Sequence, residues 1–352
     1  MGLPNRVGSL FVLLFRNFNQ QRMNAVRKVK MAGNPKSYLF GGIRMVVHIA
    51  GEQAEDQLSL IEAFMPPGGD SGLHVRIGED EAIYLITGEL ELTVGGQKTV
   101  MLAGESYFIP RSVPHRVRNT GMAEARAMLV DMPGVFSGLV REAGTPVDGV
   151  LQQPARMTGE EIAEMCAFAE QYGSLVLVPP YQEGEAVFTG KPPIYKRPVH
   201  KREQDTYMFF GVATVLHLTG IETGNEFSLM ESFMGVDGDS GLHSHANEDE
   251  CVYVLHGEVE LLAGDCELVL RAGASHFIPR NVPHRLRSRK GRPARVMHWY
   301  TPGTLDPFVR MAGIRIKGPN DVGPVYPSPE QIGPILLLSE EYDFQMLVPP
   351  GA

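Results

Sequence analysis

Hydrophobic positions in this chain fall in short runs that are broken by glycine and by turn pairs. In CVYVLHGEVELLAGDCELVL, which begins at Cys251, β-branched and apolar residues are interrupted by Gly257 and by a Gly-Asp pair, a pattern typical of antiparallel hairpins. Helical spacing follows capping signals over 158–173 and 328–342. The pattern therefore predicts an all-β protein with a short helix near the end of each half.

The two halves repeat each other at an offset of 169 residues. GDSGLH occurs at 69–74 and 238–243, and FIPRSVPHR at 108–116 returns as FIPRNVPHR at 277–285. Such self-similarity indicates two domains of one fold. We predict an N-terminal extension over 1–37, a first domain over 38–180, a Pro- and Gly-rich linker over 181–206 and a second domain over 207–352.

Composition narrows the class of protein. With 43% hydrophobic and 21% charged residues in 352, the chain is typical of packed globular proteins. The net charge of −9 argues against nonspecific nucleic-acid binding, and the three cysteines show no CxxC spacing. No apolar run approaches the ~18 residues of a membrane span. We expect a cytoplasmic protein, although the basic N-terminal extension also fits a targeting segment, or a plain extension with Met23 as the start.

The second half carries a candidate metal site. His243 and His245 are two residues apart on a predicted strand, so their side chains share a face. Glu250 opens the next strand, and His284 lies in the stiff segment PRNVPHR. If these side chains converge, three imidazoles and a carboxylate suit a divalent Fe, Ni, Cu, Zn or Mn ion. The alternative is a set of surface histidines in polar loops.

The first half repeats this pattern with one change. His74, Glu81 and His115 are present, but Arg76 replaces the second histidine. Arginine offers no lone pair, so it cannot be a ligand. Either Arg76 pairs with Glu81 and preserves the domain without metal, or it binds an anionic ligand in a second pocket. We therefore predict a degenerate first site and one divalent ion per chain.

GLHSHANEDECVYVLHG together with GASHFIPRNVPHR resembles the paired signature motifs of the cupin superfamily, over about residues 38–350. The resemblance implies two tandem jelly-roll β-barrels, a bicupin, with His243, His245, Glu250 and His284 as metal ligands. Asn281 departs from the family's usual glycine without touching a ligand.

Among bicupins, the chain is most similar to the quercetin 2,3-dioxygenase family. That resemblance implies a metal-bound flavonolate, Glu250 as the base for the substrate hydroxyl, and ring opening by dioxygen. It favours Fe²⁺, with Mn²⁺, Ni²⁺, Cu²⁺ and Zn²⁺ open. The missing ligand in the first half departs from members with two metal sites.

Apolar and aromatic residues on the flanking strands suit a flat aromatic substrate, and the predicted pocket wall consists of Phe233, Phe277, Met297 and Trp299, with Phe227, Met230 and Met234 beside them. Two other functions stay open: a metal-dependent isomerase or decarboxylase of a small organic acid, and a non-catalytic ligand-binding cupin. The expected partners are a small aromatic molecule and dioxygen, and the sequence leaves a homodimer open.

Overall fold

The computed structural model describes residues 35–148, 157–289, 291–320 and 329–350. Residues 1–34 of the predicted extension, with Met23, lie outside the described residues, as does Ser328. The described residues divide into a first unit, 35–203, and a second unit, 204–350. Each is described by itself below.

The first unit consists of two antiparallel sheets. The larger has the order β11-β1-β2-β3-β10-β5-β8-β13 and the smaller β12-β4-β9-β6-β7. The strands are β1 Lys36–Phe40, β2 Ile43–Ile49, β3 Ser59–Met65, β4 Leu73–Arg76, β5 Asp80–Thr87, β6 Glu89–Val94, β7 Gln97–Leu102, β8 Ser106–Ile109, β9 His115–Arg118, β10 Ala125–Met132, β11 Thr145–Val147, β12 Ser174–Val178 and β13 Val199–Lys201.

The second unit repeats this topology with the sheet orders β21-β18-β23-β16-β15-β14-β24 and β20-β19-β22-β17-β25. Its strands are β14 Asp205–Phe209, β15 Val212–Leu218, β16 Ser228–Met234, β17 Leu242–His245, β18 Asp249–His256, β19 Glu258–Ala263, β20 Cys266–Arg271, β21 Ser275–Ile278, β22 His284–Ser288, β23 Ala294–Thr301, β24 Ile314–Ile316 and β25 Phe344–Val348. The prediction of two all-β domains is confirmed. Within the described ranges, the sheets form a jelly-roll arrangement without closing into a hydrogen-bonded barrel.

Helices are more numerous than the sequence pattern predicts. The helices near the ends of the two units are α2 Gly159–Gln171 and α5 Pro329–Glu341. Thr158 and Glu161 form the predicted capping box of α2. The prediction that helices occur only there is wrong, because shorter helices interrupt the strand pattern within the described residues. They are the 3-10 helix Gly51–Ala54 and the α-helices α1 Phe136–Ala143, α3 Gly220–Thr223 and α4 Asp306–Ala312.

The stretch predicted as a linker is partly structured. Its strand β13 pairs with β8 at the edge of the first unit's larger sheet, and β14 begins at Asp205. Lys196, in the same stretch, is fully buried and contacts the Asp80 carboxylate at 2.5 Å. A buried ammonium requires such a partner, so this contact attaches the stretch to the first unit.

Candidate metal centre

The second unit brings the four predicted ligands together. His243 and His245 lie on β17 of the smaller sheet, and His284 begins β22 directly beside it, paired with His243. The strands β17 and β22 are therefore neighbours in the same sheet. Glu250 comes from β18 in the other sheet. The site therefore forms between the two sheets, where all four side chains are buried.

The backbone orients two of the three histidine rings. Nδ1 of His243 lies 3.0 Å from the Gly241 carbonyl, and Nδ1 of His284 lies 2.8 Å from the Val282 carbonyl. Because each Nδ1 must donate to a carbonyl, each Nε2 retains its lone pair. Short sequence spacing produces both bonds, since each carbonyl belongs to the residue two positions earlier.

The freed donor atoms converge on one point. One ligand atom from each of the four residues lies within 4.8 Å of the others. Oε2 of Glu250 lies 2.8 Å from Nε2 of His284 and 3.5 Å from Nε2 of His245. These three atoms are buried without a hydrogen-bond partner. Because unpaired buried polar atoms are costly, the convergence of these lone pairs fits a divalent ion that would satisfy them together.

Protonation states agree with this fit. Burial lowers the pKa of His243 well below its ordinary value, and the neighbouring His284 and His245 lower it further. Burial alone would raise the pKa of Glu250, but its interactions with His284, His245 and His298 hold that pKa well below its ordinary value. Neutral imidazole and ionised carboxylate are the forms that bind metal.

His298 is a site residue that the sequence analysis missed. It lies on β23 next to β18, and its Nδ1 is 2.6 Å from Oε1 of Glu250. Its Nε2 is buried and has no hydrogen-bond partner. Between the apolar Met297 and Trp299, His298 resembles a core residue in sequence. The available signal was strand alternation, which places it on the same face as Tyr300.

A cavity of about 630 Å³, including its mouth, is lined by three of these ligands, His243, His245 and Glu250. His298 and Tyr300 line it, together with Met230 and Met234. Five of the predicted wall residues lie outside the lining of this cavity: Phe227, Phe233, Phe277, Met297 and Trp299. Alternate residues of a strand face opposite sides, so residues adjacent to the true lining residues face away.

The first unit places His74, Glu81 and His115 in a matching cluster, with one ligand atom each within 4.8 Å of the others. Oε2 of Glu81 lies 2.9 Å from Nε2 of His115 and 3.3 Å from Nε of Arg76. The closest contact of Arg76 is with Asp131, whose counterpart in the second unit is Tyr300. The guanidinium thus lies among the groups that would hold a metal.

Arg76 is enclosed on all sides. Besides Glu81 and Asp131, it has Glu79 at 3.9 Å, and the ring of Phe136 lies 3.7 Å from its guanidinium carbon. Burial raises the pKa of Asp131 well above its ordinary value, although Arg76 opposes this shift. One cation faces three carboxyl groups, so the cluster carries no spare positive charge for an anion.

Each half of the chain is similar to a known domain family. The family model described as a cupin domain matches residues 62–131 and again 231–300. Each half of the chain therefore contains a cupin domain, which is the arrangement of a bicupin. Quercetin 2,3-dioxygenase of Bacillus subtilis is 26% identical over 327 residues, which cover 90% of this chain and 94% of that protein. The oxalate-binding protein of Thermotoga maritima is 29% identical over 87 residues, which cover 24% of this chain and 72% of that protein.

Solved structures agree on the fold. Oxalate decarboxylase from Bacillus subtilis, determined at pH 4.6, matches with a TM-score of 0.55 and 17% identity, covering 79% of this chain and 77% of that one. At this identity the likeness concerns the fold alone. Within the described ranges, no helix is long and apolar enough to cross a membrane.

Proposed function

We propose that the second unit is a metal-dependent dioxygenase acting on a flavonol-like, or other enolisable or phenolic, aromatic substrate. His243, His245, Glu250 and His284 hold one divalent ion, and Glu250 is also the base. The observation that carries the proposal is the convergence of four buried ligand residues, three of which line an open cavity. Similarity to quercetin 2,3-dioxygenase along nearly the whole chain supports the reaction class.

The cavity wall suits a flat aromatic molecule. Rings of Phe209, Phe210, Tyr300 and Phe344 contribute to it, and Phe210 and Phe344 stack with centroids 6.5 Å apart. Among the described lining residues there is no lysine or arginine. A small dicarboxylate would rely on the metal alone for charge compensation, whereas an aromatic substrate also gains stacking and apolar burial.

The residues around the ion have different roles in the proposed reaction. The divalent ion supplies a Lewis acid for the substrate's enolate or phenolate oxygen and a centre for dioxygen chemistry; among the metals that fit, we favour Fe²⁺. Glu250 accepts the substrate's hydroxyl proton. Nδ1–H of His298 holds Oε1 of Glu250 and so fixes the carboxylate's orientation. Apolar side chains such as Met230 and Leu305 exclude water from the substrate.

The test is dioxygen uptake by the full chain. Protein loaded with Fe²⁺ should consume dioxygen when given a flavonol such as quercetin, with loss of the flavonol chromophore. His284→Ala should reduce the rate to background. Its matched control is His115→Ala, the same position in the first unit, which should retain the second unit's activity. Circular dichroism checks that both variants are folded.

Two outcomes would contradict the proposal. One is an absence of dioxygen uptake with every flavonol and catechol tested by a chain that holds its metal. The other is metal-dependent turnover of a small organic acid without dioxygen uptake, which would assign the same ligands to a decarboxylase or isomerase.

A further inference from the structure

The first unit contains a larger cavity than the second, although it lacks the complete ligand set. The space is about 870 Å³, against about 630 Å³ in the second unit, each including its mouth. Two replacements explain part of the difference. Ser174 lies on β12 where the second unit has Phe344, and Gly41 takes the place of Phe210. Loss of metal binding alone would not require a larger cavity.

The wall of this cavity is more apolar than its counterpart. At matching positions, Met45 replaces Thr214, Ala63 replaces Ser232 and Leu129 replaces His298. Helix α2 adds Met165 and Ala169 to the lining. The exchanges remove hydrogen-bonding groups from the wall, so they favour a ligand with a largely apolar body.

The polar end of the cavity carries no unpaired positive charge. Arg76 has its charge matched by Glu81, Asp131 and Glu79, and its face is covered by Phe136. An anion would gain no unpaired cation here and would meet carboxylates. The interpretation that Arg76 binds an anionic ligand is therefore not supported by its surroundings.

His74 is the group left available to a ligand. Its Nδ1 lies 3.1 Å from the Gly72 carbonyl, to which it donates, so its Nε2 carries a lone pair. His74 lines the cavity, is only partly buried and, within the described residues, has its hydrogen bond at Nδ1 and none at Nε2. An acceptor at one end of an apolar cavity matches a hydroxyl on an apolar body.

We propose that the first unit's cavity is a metal-independent binding site for a neutral, predominantly apolar or aromatic small molecule, whose single hydroxyl donates to Nε2 of His74. This site takes no part in the second unit's chemistry, so its test is independent of the dioxygenase proposal.

Methionine methyl groups allow the two cavities to be observed separately. Met45, Met65 and Met165 line the first cavity, whereas Met230 and Met234 line the second. The full chain, labelled with ¹³C at methionine methyls and kept in chelator, would be titrated with 1-naphthol. Naphthalene and 1-naphthoate are the matched probes, since one lacks the hydroxyl and the other carries a negative charge.

The expected result is a saturable shift of the first-cavity methyl signals with 1-naphthol in the presence of chelator. Naphthalene should bind about 2- to 10-fold more weakly, the range for one net hydrogen bond, and 1-naphthoate more weakly still. Ser174→Phe, which gives the first unit the second unit's residue, should abolish these shifts while leaving metal content and the second unit's activity unchanged.

His74→Leu provides a second variant if the larger side chain disturbs folding. It should keep naphthalene binding and lose the preference for 1-naphthol. The proposal is overturned if 1-naphthol leaves the first-cavity signals unmoved, if Ser174→Phe binds it as the wild type does, or if 1-naphthoate binds more tightly than 1-naphthol.

Discussion

Glu250 contributes its two carboxylate oxygens to different tasks. Oε2 faces His245 and His284, while Oε1 accepts a hydrogen bond from His298. In the proposed site, Oε2 therefore belongs to the ligand set, and Oε1 is held by a group outside it. A residue so placed can serve both as ligand and as base.

Replacing Glu250 with glutamine separates these tasks. The amide oxygen can still coordinate weakly, so Glu250→Gln should retain part of its metal, but it cannot accept the substrate proton. Loss of one general base lowers the rate about 10²–10⁴-fold. Steady-state kinetics should show partial recovery at high pH, where the substrate is already ionised. Full turnover at neutral pH with metal retained would exclude the base role.

Arg76 and Asp131 are two linked replacements in the first unit. They replace His245 and Tyr300, and each is the closest partner of the other. Removing one member of such a buried pair costs about 3–5 kcal/mol, because the remaining charge has no partner. The two substitutions therefore have to be made together.

Arg76→His combined with Asp131→Tyr should restore a complete ligand set in the first unit. We expect elemental analysis to give two divalent ions per chain for the double variant, with Arg76→His alone less stable and poorly loaded. A folded double variant that still holds one ion would show that Arg76 is not what silences the first site.

A carboxylate at the start of β18 links the two sheets around the site. Asp249, next to Glu250, accepts hydrogen bonds from the backbone N–H and the guanidinium of Arg280, at 2.7 and 2.6 Å. Arg280 lies in the turn that leads to His284. The first unit uses Asp80 and Arg111 in the same way.

Asp249→Asn should weaken this link and misplace His284 relative to Glu250. Changes just outside a ligand set typically cost about 10- to 100-fold in metal affinity, which a competitive chelator titration measures. The matched change Asp80→Asn should lower the first unit's stability, because Lys196 loses its ionised partner, and leave metal affinity unchanged. Equal metal affinity in Asp249→Asn and wild type would contradict the role given to this link.

The repeat, the strand-rich fold and the four converging side chains could be predicted from sequence because each leaves a local signal. Spacing of two residues fixes a shared face, and glycines mark the turns. The residues of the pocket wall could not be predicted, because strands such as β16 and β23 carry large apolar or aromatic side chains on both faces. The pattern therefore does not distinguish Met234 from Phe233 or Tyr300 from Trp299. Asp131 was visible only by comparing the halves at a position outside the motifs.

At the scale of the whole molecule, each unit contains an equivalent buried network of charged side chains. Glu62 contacts His48 at 2.9 Å and Arg126, while Glu231 contacts His217 at 3.1 Å and Arg295. Burial would raise the pKa of each glutamate, but these partners hold both pKa values below the ordinary one. Stability from such a group is complete above its unfolded pKa and is lost as pH falls through the lower folded value.

Urea unfolding of chelator-treated protein should therefore show this contribution fading below about pH 4.5, near the unfolded pKa of glutamate. Asp131 and Glu79 act in the opposite direction, since their pKa values are raised. The decisive comparison is with the variants Glu62→Gln and Glu231→Gln. Each should be less stable than wild type at neutral pH, and its free energy of unfolding should fall less than that of wild type on acidification. An unchanged pH dependence in both variants would contradict this account.

The division of labour between the units is the central claim, and metal content per chain tests it most directly. Elemental analysis of purified full chain, loaded with Fe²⁺ and freed of excess ion, should give one ion per chain. His284→Ala should give none, and its counterpart His115→Ala should still give one. Two tightly held ions in the wild type, or retention of the ion by His284→Ala with loss of it in His115→Ala, would contradict the claim.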